Sequence, residues 1–123
     1  MTRRRTVVND SDAPVLIYAT CPDVAVAEAV GAPLVEDGLA ACLNILPAMT
    51  SIYRWHGRLH KDSECVLIVK TRASLADRAI AEARARHPYD EPAFLVLPVT
   101  GGAAGFMTWI MGETAAPRDD AKE

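Results

Sequence analysis

Few residues of this chain can do metal or nucleophilic chemistry. Its 123 residues include 3 cysteines and 3 histidines: Cys21, Cys42, Cys65, His56, His60 and His87. The cysteines are odd in number and widely spaced, with no CxxC pair. Neither a zinc ribbon nor a disulfide framework fits that spacing, and the reading is reduced thiols in a cytoplasmic protein. A copper or zinc ion needs thiolate or imidazole donors converging to about 2.0–2.3 Å. Cys21 and His87 are the best candidates, because each ends an element, where loops gather. Glu91, water or a neighbouring subunit would complete the shell, giving a weak and exchangeable site. The plainer reading makes Cys21 a small filler and His87 a helix cap. Cys42 and Cys65 lie in apolar runs and read as core thiols. His56 and His60 flank a hairpin tip.

A second group is polar. Lys70, Arg72, His87, Tyr89 and Glu91 could line a cleft between subunits that takes a small anion or metabolite. The same charges also suit an interface ion-pair network. Tyr53 and Trp55, two apart in an extended run, share one face. They suit an apolar subunit interface better than a ligand-stacking platform. No Gly-rich phosphate loop, GxSxG or HExxH is present, so no enzymatic reading is supported.

The elements that must position these groups follow from pattern. Val15–Thr20 is a short apolar strand. Asp23 caps a helix over 24–37, which Gly31 and Pro33 disturb and Gly38 ends. Residues 41–46 form a strand that Pro47 interrupts, and a strand resumes at Thr50. His56-Gly57 marks a turn into a strong strand over 64–71, so a long hairpin is expected to outrun the body of the domain. Ser74 opens a second helix with a stripe of Leu75, Ala76, Ala79, Ile80 and Ala83, and Pro88 stops it. Phe94–Val99 is the fourth strand. Gly101-Gly102 precede a short third helix carrying Phe106, Trp109 and Ile110.

The order predicts an α+β, ferredoxin-like split β-α-β plan, βαββαβ plus a C-terminal helix, with both helices on one face of an antiparallel sheet. Nothing else in the chain is large enough to cover the other face, so further copies are expected to do so. Residues 13–116 form the single domain, and residues 1–12 and 117–123 are expected to be disordered tails. A net charge of −3 argues against general binding to a phosphate backbone. The longest apolar runs are strand-length, which excludes a membrane-spanning helix. Arg3–Arg5 run into Asn9-Asp10-Ser11-Asp12, not an apolar segment, so no secretory leader is expected.

Five segments together resemble the CutA divalent-cation-tolerance family: Leu39–Asn44 with Pro47, Ser51–Gly57, Glu64 with Lys70-Thr71, His87–Pro92, and Gly105–Trp109. They cover about residues 14–113 in the family's order and spacing. The resemblance implies a homotrimer in which long β-hairpins interlock, cytoplasmic residence, a role in tolerance of copper and other heavy metals, and no catalysis. The family's proposed ligands carry over as the histidine before Pro-Tyr, His87. The family's cysteine before the Thr is Ala19 here, with Cys21 just after Thr20. The Glu after the second proline is Ala93, with Glu91 nearby. Two alternatives of other classes stand beside a metal-tolerance protein. One is a metabolite sensor, similar in architecture to the trimeric PII proteins. The other is a scaffolding trimer without a specific ligand.

Overall fold

A computed structural model describes residues 12–114. Apart from Asp12, the two expected tails lie outside the described residues. The order is β1 (Pro14–Cys21), α1 (Val24–Glu36), β2 (Cys42–Trp55), β3 (Arg58–Arg72), a 3-10 turn (Ala73–Leu75), α2 (Ala76–Arg86), β4 (Phe94–Pro98) and α3 (Ala104–Glu113). One four-stranded sheet, in the order β2-β3-β1-β4, has antiparallel neighbours throughout. The fold is the α+β split β-α-β arrangement that the sequence order requires.

Alternation assigns the sheet faces. Val15, Ile17, Ala19 and Cys21 of β1 face Thr71, Val69, Leu67 and Cys65 of β3. All eight are buried, and α1 and α2 cover them with Ala27, Val30, Leu34, Ala76, Ala79 and Ala83. Gly31 sits at the closest approach of α1 to the sheet, where a Cβ would lie 2.6 Å from the Leu43 side chain. The absent side chain at Gly31 thus brings α1 close to the strands. The opposite face carries Leu16, Tyr18, Ile68, Leu95 and Leu97 in register. Among the described residues α3 meets this face at its Lys70 and Arg72 end, and Leu95 and Leu97 are exposed.

Three local expectations change. Helix α1 runs through Pro33 to Glu36 without ending early, and the Pro33 carbonyl accepts the closing Asp37 N–H. A proline in the last turn removes only one ladder bond, a smaller penalty than at mid-helix. Ser74 does not cap α2. Its hydroxyl donates to Asp12, and the helix is entered through the 3-10 turn with no side-chain cap. The two runs about Pro47 are one strand, β2, with a register shift between Leu46 and Met49 where Ala48 takes φ 63°.

That shift has a consequence for side-chain direction. An extra residue on one strand reverses which residues share a face. Cys42, Asn44 and Leu46 lie on the open face before it. Met49, Ser51, Tyr53 and Trp55 lie there after it, opposite Glu64, Asp62, His60 and Arg58. The hairpin closes at His56 and Gly57, with φ 51° and 75°. Both central residues take positive φ, as a tight primed turn requires. Among the described residues, the hairpin has no flanking strand from Met49↔Glu64 to Trp55↔Arg58. At a strand rise near 3.3 Å it projects about 20 Å beyond β1.

Candidate functional site

A cleft of about 660 Å³ opens where the root of this hairpin meets the turn between α2 and β4. Tyr53, Trp55 and Glu64 line it from the hairpin, Tyr18 and Thr20 from β1, and Tyr89, Asp90 and Glu91 from the turn. The sequence candidates Tyr53, Trp55, Tyr89 and Glu91 therefore meet at one place.

His87 builds the turn. It ends α2 in an extended conformation, and Pro88 prevents continuation. Its Nδ1 accepts from the Tyr89 N–H at 3.1 Å, and its Nε2 lies 2.8 Å from the Thr20 carbonyl. An Nδ1 that accepts leaves the proton on Nε2, which donates to Thr20. Both ring nitrogens are thus engaged, and the ring packs edge-on to Phe94. His87 is a brace tying the turn to the end of β1.

The brace aims Tyr89. Its hydroxyl donates to Glu64 Oε2 at 2.8 Å. Partial burial and the neighbouring Glu64 carboxylate raise the Tyr89 phenol above the usual tyrosine range. Tyr53 repeats the motif on the hairpin: its hydroxyl donates to Asp62, which raises its pKa, and its ring stacks on His60 at 5.3 Å. Two phenols therefore serve two carboxylates along one strand face. Glu64, Asp62 and Asp90 are the residues that sequence reasoning missed. The signal was available in part, since Asp62 and Glu64 share a strand face by alternation.

The other candidates lie elsewhere. Cys21 points to the helix side of the sheet, fully buried, and not into the cleft. Burial and neighbouring acids push its thiol up to about 11. Cys21, His87 and Glu91 are not gathered into one set of donors. Among the described residues, no three His, Cys, Asp or Glu side chains converge to hold a metal ion. Lys70 and Arg72 share a strand face with Glu64 but stand six and eight residues away, so about 20–26 Å. Arg72 is committed to structure: Nε donates to Thr114 Oγ1 at 3.0 Å, Nη2 to the Met111 and Thr114 carbonyls, and Nη1 pairs with Asp12 at 3.0 Å. The Lys70 ammonium lies 5.5 Å from the centre of the Phe106 ring. Within one chain these cations do not share a cleft with Tyr89.

The family model described as CutA1 divalent ion tolerance protein matches residues 15–113. The chain belongs to this family. The Divalent-cation tolerance protein CutA of Pectobacterium atrosepticum is 40% identical over 96 residues, covering 78% of this chain and 87% of that protein. The CutA protein of Arabidopsis thaliana, named as chloroplastic, is 37% identical over 100 residues, which are 81% of this chain. The chain spans about half of that plant relative's length, 55%. The crystal structure of CutA1 from Oryza sativa superposes with a TM-score of 0.82 at 33% identity, covering 87% of this chain and 98% of that one. Among the described residues, no helix is long and apolar enough to cross a membrane.

Proposed function

We propose that this chain is a divalent-cation-tolerance protein that binds copper or another heavy-metal cation weakly and exchangeably, as a homotrimer, without catalysing a reaction. One observation carries the choice of ligand sign. Glu64, Asp90 and Glu91 line the cleft, and among the described residues no Lys or Arg does. Such a cleft attracts cations and repels anions. The metabolite-sensing alternative needs Lys70 and Arg72 at the ligand, and both are engaged at the far end of β3. Carboxylate oxygens from one chain under-coordinate a transition metal, so a second subunit or water must supply the remaining donors.

The trimer rests on two features. A free two-stranded ribbon about 20 Å long is marginal in water. The open sheet face also leaves Leu46, Leu95 and Leu97 exposed, and Phe106 of α3 is exposed as well, more apolar surface than a lone residue presents. Packing hairpins and open faces together satisfies both. Cytoplasmic placement rests on the three unpaired cysteines.

Titration of copper(II) and zinc into wild type, Glu91→Gln, Glu64→Gln and His87→Ala tests the reading, with native mass spectrometry reporting subunit count. The carboxamide variants should bind the cation more weakly, and chelators should leave the fold intact. Equal binding by all variants, or binding of an anionic metabolite without metal, overturns it.

A further inference from the structure

Cys21 and Cys65 face each other directly across β1 and β3. They are 0% and 1% exposed, unoxidised, and on the helix side of the sheet, away from the acidic cleft. We propose that this pair is a second metal site, a linear two-sulfur clamp for a soft thiophilic dication of the mercury(II) type. The proposal does not depend on the cleft reading, because none of the cleft carboxylates is a donor in it.

The spacing of the pair selects a metal bridge over a disulfide. The Thr20 carbonyl is turned to His87, beside β4. The Cys21 N–H in the same peptide plane therefore points the other way, to β3 and its facing residue Cys65. Facing residues of this hydrogen-bonded kind hold their Cα atoms about 5.5 Å apart and their Cβ atoms at the far end of about 4.5–5.5 Å. A disulfide needs Cβ atoms about 3.5–4.5 Å apart, so it would have to draw the strands together. A metal ion with two bonds of about 2.3 Å spans the wider gap.

Charge and donor count select the ion. Each thiol gives its proton to water as a sulfur–metal bond forms, with no redox change. Two thiolates on a dication make a neutral group, which an apolar core tolerates. Copper(I) on the same sulfurs leaves a net negative charge, buried within the field that Asp23 and Glu64 already impose on both thiols. Zinc needs four donors, and here the flanking residues Ala19 and Leu67 are apolar. Entry is through the weakest part of the sheet. Cys21 is the last residue of β1, and the β2 register shift between Leu46 and Met49 falls opposite Cys65.

Mercury(II) chloride titrated into the full chain under excess glutathione tests the clamp. Wild type and Cys42→Ala should each retain one ion per chain and release two protons per ion. Cys21→Ala and Cys65→Val should retain it at least about 100-fold more weakly, the gain lost with a second tethered donor. Circular dichroism checks that both variants are folded. X-ray absorption on wild type, which needs no variant, should show two sulfurs near about 2.3 Å and no further donors. Loss of the ion in Cys42→Ala, equal retention by all variants, retention of zinc under the same conditions, or a coordination shell other than two sulfurs overturns the proposal.

Discussion

The Tyr89 hydroxyl donates to Glu64 across 2.8 Å and ties the turn after α2 to the base of the projecting hairpin. Those residues are 25 apart in sequence, and the contact exists because His87 fixes the backbone of residue 89. Tyr89→Phe should cost about 1–2 kcal/mol in urea unfolding, the usual value of a hydrogen bond to a charged partner reduced for partial exposure. A Glu64→Gln background should cut that cost by at least half. Additive losses in the double-mutant cycle would show that the two groups do not interact.

The same bond sets an alkaline response. Tyr53 and Tyr89 are both raised above the ordinary tyrosine value, by the Asp62 hydrogen bond in the first case and by burial and Glu64 in the second. A phenol whose folded pKa exceeds its unfolded one is held protonated by the fold. Its contribution to stability is complete below the unfolded value near about 10 and is lost as pH rises towards the folded value. Ultraviolet titration should show Tyr53 and Tyr89 ionising above the ordinary tyrosine range. Ionisation of both in the ordinary range would contradict the geometry.

Arg72 gives the acid-side counterpart. Burial acts to raise the Asp12 carboxyl, but hydrogen bonds from Ser74 and Arg72 outweigh it, and the net shift is downward from 3.8. A depressed carboxylate stabilises the fold above its unfolded pKa, and that contribution disappears as pH falls through the folded value. Asp12→Asn should therefore be destabilising at pH 7 by roughly 0.5–1 kcal/mol, given the partial exposure of the pair. The difference from wild type should shrink as pH falls below the ordinary aspartate value of 3.8. A gap that is constant with pH would mean that Asp12 acts through packing alone.

The frame of the fold was legible because each element carries a strong local signal. Alternating apolar runs, Asp23 as a cap, His56-Gly57 as a turn and Pro88 as a stop all act within a few residues. The site was legible only in its parts. Tyr53 and Trp55 were correctly paired on one face, but Pro47 disguised one bulged strand as two, which hid how they come to share a face with Glu64. His87 was visible as a histidine ending a helix, yet its role depends on the Thr20 carbonyl, 67 residues away. Lys70 and Arg72 read by charge as lining a cleft between subunits, and within one chain they do not meet Tyr89. Strand rise places them at the other end of β3, where Thr114 and Phe106 engage them. Tertiary contacts of this kind leave no trace in local spacing.

The brace at His87 should behave as a positioning residue. His87→Ala leaves the Thr20 carbonyl and the Tyr89 N–H without partners, which should cost about 2–3 kcal/mol. If the cleft carboxylates bind the cation, the variant should also bind it more weakly, and Tyr89 should return towards the ordinary tyrosine range. The return of Tyr89 separates positioning from ligation, because a histidine that only ligates metal has no effect on the phenol of the metal-free protein.

Assembly is the last and broadest test. Leu95 and Leu97 lie beside Tyr18 and Leu16 on the open face, at 62% and 43% exposure. In a monomer a charge there can still reach water, and Leu97→Glu should alter stability by no more than about 1 kcal/mol. In a trimer that buries the face, the same substitution places an unpaired carboxylate in an apolar interface. Sedimentation velocity should then show dissociation at micromolar concentration, and Tm should become concentration-dependent. Trp55→Ala at the hairpin should weaken assembly in the same direction by removing an aromatic anchor. The two variants probe separate surfaces, so dissociation by Leu97→Glu alone would place the interface on the sheet face and leave the hairpin free. A chain that sediments as a stable monomer in wild type would remove the trimer altogether.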